Sequence, residues 1–565
     1  MRIVFRMTFF SWGISLSLLS PSLAFGQCPP MPEGTLPQSG KLALYDLKTK
    51  NANKRPTDIL AGVHTPALPK LVTRFGIDTA IPASEARQAI ARRPVKRNST
   101  VDLVDQFKGP ISIQVPRAGL QSSVIEQDGK FLLVGGSDTS TGGVVQQGVF
   151  LARFEANGKP DATFGQGGSA RIILLAENNM VGASSVPIAL SPSGKIVIAR
   201  SINDLFPVKQ PGMRVSVARF ESNGALDPNF GTGGIIYTTI DNDFQVFDVA
   251  VQRDDKIVVA GRSGHIGNCI DEPCMRLATL MRYMPNGQPD PSFGSAGLVK
   301  TLLFAGGTPP ILATQSAYTS VRVQENGLIV AAGAVDALGP SALDSKMLIA
   351  EYLPTGELNP AFGNSGAVTL TFDSPYRTFT ADSVVIQENG KILVGGTASL
   401  YHVNSQGGTT DSLLVDQAFV VARLTAGGEL DSGFANSGKL AVDVNPRFTG
   451  SPPRPLDSLS KLLLDPSGVI YAVGIARGPV GTSEKAMNLV AINSNGSLNQ
   501  GFGKAGLYSF GTYVPWGMEL AHDALLTDDG RLLVSGVHWP DQHNPDGFVL
   551  WAYSVAAKPT GLTCP

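Results

Sequence analysis

Charge is scarce in this 565-residue chain: 16% of its residues are charged, and 45 basic side chains face 46 acidic ones for a formal net charge of −1. Without a basic surplus, no long-range field exists to hold a polyanion by counterion release, so nucleic acid is not an expected partner. Histidine (6), tryptophan (4) and cysteine (4) are rare as well. No GxSxG elbow, HExxH pair or P-loop string occurs, which removes the hydrolases, zinc proteases and nucleotidases that carry those local signatures. A site gathered from distant segments is untouched by that absence. CxxC spacing is missing too, so a zinc knuckle is disfavoured.

Long apolar runs are confined to the N-terminus. Arg2 and Arg6, the run "MTFFSWGISLSLL" and the small-x-small triplet Ala24-Phe25-Gly26 read as an export signal over 1–26. A membrane anchor fits less well because Ser and Gly interrupt the run. A lipoprotein signal would want a small residue where Gln27 precedes Cys28. The mature chain is expected to be exported, whether secreted, periplasmic or held at the cell surface, with no further transmembrane segment. Four cysteines suit that compartment and allow three pairings. Cys269 and Cys274 enclose only "IDEP" and are expected to clip one loop; Cys28 and Cys564 would tie the two ends of the chain together.

What the chain has in abundance is turn chemistry, with 63 Gly and 39 Pro beside 43% hydrophobic residues. That is the balance of a β-rich protein with ample core. Two motifs recur in fixed order. A joint reads "NGKPDATFGQGG" at 157–168, "NGALDPNFGTGG" at 223–234 and "NGQPDPSFGSAG" at 286–297, with further copies from Thr355, Gly427 and Asn495. A hairpin reads "QDGKFLLVGG" at 127–136 and returns six times, the copies standing 61 to 78 residues apart. Two short β-rich runs around Asp-Gly, Asn-Gly or Ser-Gly form a tight hairpin, since the turn needs positive φ.

Each unit then holds four strands: A after the joint, B and C as the hairpin, and D before the next joint. "ISIQV" (111–115) is strand A of the first unit and "FVLWAYSV" (548–555) is strand D of the last. Seven such units predict an all-β protein, a β-propeller of seven four-stranded blades over 110–556. A linear β-solenoid is the structural alternative. Residues 27–109 form an N-terminal extension in which 82–97 reads as one short helix with basic Arg92, Arg93, Lys96 and Arg97, and 557–565 form a tail. The pairing of "DGKILVGG"-type hairpins with "ARLxxxGxLDxxFGxxG" segments resembles the delta-60 repeat family of bacterial proteins. The resemblance implies a repeat protein and a propeller; it implies no reaction, cofactor or catalytic residue.

The joint itself reads as structure. Asp161 and its equivalents suit a side chain that accepts backbone N–H groups in a turn. Phe164, Phe230, Phe293, Phe362, Phe434 and Phe502 stand at one fixed offset, as buried anchors would. Asn359 and Asn499 replace the Asp in two copies, Ala435 replaces a joint glycine and Asp255 a hairpin glycine, which fits a turn better than a cation loop.

Strand alternation puts the B–C hairpins and D-to-A joints on one face, and the variable A–B and C–D connections on the other. Binding groups are expected on the variable face. Its candidates are Arg262 and His265 in unit 3, Tyr401 and His402 in a long C–D loop of unit 5 (397–416), Trp516 in an A–B loop, and His538, Trp539, Asp541 and His543 in unit 7. Tyr376, Phe448 and Tyr513 could join Trp516 as an aromatic platform or pack beneath their loops. His538 and His543 are the one metal candidate, and no cofactor is expected. The functional expectation is an exported recognition, adhesion or scaffold module for a carbohydrate or protein partner. The alternatives are a secreted hydrolase or lyase with a metal-assisted site in the channel, and a purely structural envelope protein.

Overall fold

The structure is a computed structural model, and it describes residues 44–46, 101–105, 111–114, 118–137, 139–141, 144–177, 186–204, 212–240, 244–264, 276–303, 315–336, 344–373, 375–406, 409–444, 457–477, 485–510, 518–539 and 547–557. The export signal, the expected helix over 82–97 with its basic cluster, the tail and all four cysteines lie outside the described residues.

Every regular element among the described residues is a β-strand. The chain enters through β1 (Leu44–Asp46), β2 (Val101–Asp105) and β3 (Ile111–Gln114). Blade 1 is β4 (Ala118–Gln127), β5 (Lys130–Ser137), β7 (Val144–Phe154) and β8 (Ser169–Glu177), with a short β6 (Thr139–Thr141) beside β7. Blade 2 is β9 (Ile188–Leu190), β10 (Ile196–Asp204), β11 (Gly212–Phe220) and β12 (Ile235–Thr239). Blade 3 is β13 (Phe244–Val251), β14 (Ile257–Gly264), β15 (Arg276–Tyr283) and β16 (Leu298–Leu303), with β1 added at its edge. Blade 4 is β17 (Ser316–Val323), β18 (Ile329–Asp336), β19 (Ser345–Tyr352) and β20 (Ala367–Leu370). Blade 5 is β21 (Thr378–Ile386), β22 (Ile392–Gln406), β23 (Thr409–Leu424) and β24 (Lys439–Val442). Blade 6 is β25 (Ser458–Leu464), β26 (Ile470–Arg477), β27 (Lys485–Ile492) and β28 (Leu507–Phe510). Blade 7 is β29 (Met518–Leu526), β30 (Arg531–Trp539) and β31 (Gly547–Ala557), completed by β3 and β2 from the other end of the chain.

The expected seven four-stranded antiparallel blades are therefore present, but their phase differs from the sequence unit. Strand A does not open the sheet that follows it; it closes the sheet before it, pairing with D. β24, for example, follows a joint and pairs with β23 rather than with β21. The reason is local. The joint is a compact turn that returns the chain directly beside strand D, whereas the A–B connection is long enough to step to the next blade. The offset also closes the ring. β3 precedes the first hairpin and pairs with β31, and β2 sets Val101 opposite Ala557.

Packing shows the same ring. Seven apolar clusters form, one between each pair of neighbouring blades, including Phe131 and Leu133 of blade 1 against Leu533 and Phe548 of blade 7. The second strand of each blade is buried on both faces, and so it reads as a continuous apolar run such as "IVVAG" in β14. The glycines ending the hairpin motif have a steric cause: a Cβ on Gly261, Gly333 or Gly396 would stand 1.8–1.9 Å from a carbonyl oxygen of the first strand. The first strands of successive blades touch each other around the axis. Five of them bulge at one level: β13 between Val246 and Asp248, β17 between Tyr318 and Ser320, β21 between Ala381 and Ser383, β25 between Leu459 and Lys461, and β29 between Ala521 and Asp523. Each bulge adds one residue to the level that faces the channel.

Candidate functional site

The hairpin face is built from a repeated ion-pair clasp. In blade 1, Asp161 accepts from the Thr163 amide at 3.0 Å through one oxygen, and from Arg153 Nε at 2.7 Å and Lys130 Nζ at 2.9 Å through the other. Arg153 also lies over the Phe164 ring, 4.6 Å from its centroid, and donates to the Ser222 carbonyl of blade 2. The set repeats with Arg219, Asp227, Lys195 and Phe230, with Arg282, Asp290, Lys256 and Phe293, and with Arg423, Asp431, Lys391 and Phe434. A planar, forked guanidinium can do all three things at once, where an ammonium cannot. The Lys–Asp contacts also place hairpins and joints on one face, as expected.

The Asx-turn reading holds in all six joints. Asp227, Asp290, Asn359, Asp431 and Asn499 each accept the amide two residues on, at 2.9–3.1 Å. All six phenylalanines are buried. Ala435 and Asp255 keep the left-handed backbone of the glycines they replace, at φ 43° and 59°. The joint is thus a turn within a blade, yet it packs across a blade boundary. The Gly165 amide donates to Asn223 O at 2.8 Å, and four later joints repeat the bond.

Where the Asp is lost, its partners are lost with it. Blade 4 has Glu351 in place of the arginine, Leu328 in place of the lysine, and Asn359; Asn359 Nδ2 donates to Glu351 Oε1 at 2.6 Å and Gln324 to Oε2 at 2.9 Å. Blade 6 discards the charges altogether, with Ala491, Val469 and Asn499. Burial would otherwise raise each clasp carboxyl, but donors outweigh it: Asp227 and Asp290 are held near 2, and Asp161 lower still. For Asp431 the Lys391 hydrogen bond is the largest influence, and it too sits near 2. This face is committed to its own stability.

The axis carries a second constellation. A small axial cavity of about 70 Å³ is lined from all seven blades, by Ser123, Pro187, Asp248, Thr319, Asp382 and His522 among others. That is room for about five waters, far below the several hundred Å³ of small-molecule sites. Inter-blade bonds consume much of its polarity. Asp248 accepts from Arg322 at 3.0 Å and from the Val321 amide of blade 4 at 2.8 Å. Asp523 pairs with Lys461 of blade 6 at 2.7 Å and accepts from the Val124 amide of blade 1 at 3.2 Å. Ser320 and Ser383 accept the Val384 and Leu462 amides, each in the next blade, at 3.2 and 3.0 Å. Asp382 accepts only hydroxyls at Oδ2, from Thr380 at 3.0 Å and Thr397 at 3.3 Å, and burial raises it to about 7 against those bonds. Among the described residues, no three His, Cys, Asp or Glu side chains gather at metal-binding spacing.

On the variable face, the expected loop of blade 5 is a correction. Residues 397–416 do not form a loop. β22 and β23 continue as a paired ribbon out to Gln406 and Thr409, with a bulge between Leu400 and Tyr401. β21 pairs no further along β22 than Ser399, and β24 pairs no further along β23 than Phe419, so the ribbon's outer part stands clear of the four-stranded sheet. Its Thr, Val, Leu and Tyr residues favour the extended backbone that continues the ladder. Tyr401 is half-buried on the ribbon, and His402 lies on it in register with Leu413. Tyr376 packs beneath, its hydroxyl donating to Asp416 at 3.3 Å, so it is an under-loop residue rather than a platform.

Arg262 is a buried residue of β14, held by Gln245 at 2.7 Å and lying 5.9 Å from the Phe247 ring centroid; it is not a free surface cation. His538 and Trp539 end β30, where His538 is in register with Glu519 and Gly547, so they are strand residues and not part of a loop. His265, Phe448, Tyr513, Trp516, Asp541 and His543 lie outside the described residues. Of the candidates within the described residues, Arg262 stands on blade 3, Tyr401 and His402 on blade 5, and His538 and Trp539 on blade 7. The clasp Arg and Lys residues and the axial Asp382 were missed; the arginine eight residues before each joint Asp was the readable signal.

Ring, clasps and axis define the class: a seven-bladed β-propeller. Three of its segments, 126–164, 191–230 and 387–434, match a family described as "Domain of unknown function (DUF5122) beta-propeller", each running from a hairpin to a joint phenylalanine. Among solved structures, a polysaccharide lyase, Uly1, is similar at 11% identity over 84% of this chain and 96% of that one, with a TM-score of 0.43. A protein of unknown function from Dyadobacter fermentans DSM 18053 is similar at 12% identity over 81% of this chain and 100% of that one, with a TM-score of 0.37. Likeness at this level carries no argument about activity. A comparison with curated proteins finds no match.

Proposed function

We propose that this protein is an exported recognition module of the delta-60 repeat type, binding a carbohydrate or protein partner through its variable face. The observation that carries the reading is the blade 5 ribbon, which extends strands of 15 and 16 residues where the matching strands of blade 4 have 8 each. A two-stranded ribbon standing clear of its sheet adds nothing to the inter-blade cores, and among the described residues no further strand pairs with its two edges. The opposite face supports the reading from the other side, because its charged groups are engaged with one another in clasps.

The test removes the ribbon without disturbing the blade. Leu400 and Asp416 are cross-strand partners, so replacing 401–415 with Asn-Gly closes a two-residue turn on an existing pair and keeps the Tyr376–Asp416 bond. The melting temperature should hold while binding on a glycan array and capture of cell-surface proteins are lost. If the ribbonless protein kept the wild-type profile in both assays, the placement of the site would be wrong.

A further inference from the structure

Five consecutive first strands bulge at the same level, and three of the residues they turn toward the axis are Thr319, Asp382 and Ser460, from blades 4, 5 and 6. We propose that the axial cavity holds one hard, hydrated divalent cation of the magnesium or calcium class, seated on Asp382 between the Thr319 and Ser460 hydroxyls.

The argument begins with where protons go. Thr319 donates its hydroxyl proton to the Ala381 carbonyl, and Ser460 donates its own to the Ala521 carbonyl at 3.2 Å. A hydroxyl whose proton is engaged offers only lone pairs to whatever faces it. Asp382 is therefore flanked in ring order by two oxygens that can only accept. Its Oδ2 is engaged by Thr380 and Thr397, and the residue lines the cavity.

The other two carboxylates have cations of their own, Arg322 on Asp248 and Lys461 on Asp523. A hard ion that keeps most of its waters needs only one or two carboxylates, as magnesium sites show. One carboxylate, two hydroxyls and room for about five waters match that requirement. The proposal does not rest on the recognition reading; it concerns the axis, and the ribbonless protein should keep it.

A proton competes for the same oxygen. The titratable groups sharing the cavity are Asp248, Lys461, His522 and Asp523, with Arg322 behind Asp248. Burial raises the Asp382 carboxyl above the ordinary carboxylate range, so cation affinity should weaken as pH falls.

The experiment is calorimetric titration of the full-length mature protein with magnesium or calcium chloride at constant ionic strength, alongside thermal melts. One saturable site is expected, with a Kd of order 10⁻⁴ to 10⁻³ M. Asp382→Asn should weaken it at least tenfold while the ion-free protein melts as high as wild type or higher, because a neutral amide relieves a buried carboxylate. Thr319→Val and Ser460→Ala should weaken it less. The proposal is overturned if neither ion binds saturably, if Asp382→Asn binds as wild type does, or if sodium chloride at equal ionic strength gives the same thermal shift.

Discussion

The blade 2 clasp can be converted into the blade 4 solution, and the energetics of doing so follow from the geometry. Asp227 is fully buried and receives Arg219 Nε at 2.7 Å and Lys195 Nζ at 2.8 Å on one oxygen, while the other caps the Asn229 amide at 2.9 Å. Asp227→Asn keeps the cap but turns an NH₂ group toward two cationic donors. That leaves a buried guanidinium without its acceptor, which costs about 3–5 kcal/mol. Arg219→Glu alone sets two buried carboxylates against each other and should cost at least about as much. Together they recreate the pair in which Asn359 donates to Glu351 at 2.6 Å, with Lys195 free to meet the new carboxylate. The double variant still loses the Arg219 bond to Pro285 O at 2.5 Å, a charged hydrogen bond contributing about 1.5–3 kcal/mol. The double variant should therefore lie about 2 kcal/mol below wild type, well short of the sum of the singles. Urea unfolding followed by circular dichroism reads this as midpoint shifts at constant slope. Additive losses, or a loss under about 1 kcal/mol for Asp227→Asn, would refute the coupled clasp.

Two further predictions follow from the same face. Carboxyls held near 2 in Asp227, Asp290 and Asp431, against a usual value near 4, bind fewer protons in the folded protein than in the unfolded chain between those limits. Their stabilisation is therefore complete above pH ~4 and is lost as pH falls through ~2; thermal melts across that range should drop steeply, and a flat profile would sink the assignment. Gly224 has φ 86° and a built Cβ would stand 2.8 Å from the Phe164 ring of the preceding blade, whereas Gly167, at φ 62°, has nothing within 4 Å. Gly167→Ala should cost about 1–2 kcal/mol for the backbone alone, and Gly224→Ala clearly more in the same urea assay; equal losses would show that the inter-blade contact is not tight.

Most of the architecture was legible because turn chemistry is local. Asp-Gly and Asn-Gly fixed the hairpins, and the phenylalanine offset fixed the joints. The blade phase was not legible, because strand A has two possible neighbours and only the length of the joint decides between them. Arg153 and its equivalents were legible in principle, since Arg, Asp and Lys change together to Glu351, Asn359 and Leu328 or to Ala491, Asn499 and Val469. Asp382 was not, because a bulge inserts one residue into the alternation and erases the period-two signal that would mark it as axial. The blade 5 ribbon was mistaken for a loop because Gly407-Gly408 and the surrounding polar residues resemble a loop more than the tip of a hairpin.

Blade 5 is also where the two kinds of seam meet. It gives Arg423 to the Ser494 carbonyl of blade 6, but blade 4, with Glu351 at the arginine position, gives it no guanidinium in return. The 4–5 seam relies on hydroxyls, which the 5–6 seam also has in Ser383 and Thr397, accepting the Leu462 and Leu459 amides. Thr319 donates to Ala381 O, Ser320 accepts the Val384 amide at 3.2 Å, and Ser345 both donates to Phe379 O and accepts its amide at 3.0 Å. Neutral bonds contribute about 1 kcal/mol each, so three or four of them offset one lost charged bond. They also lie on β17, β19 and β21, nearer the axis than the joint. The blade that carries the ribbon is thus fixed through its first strand on both sides, and by the Arg423 clasp at its joint towards blade 6.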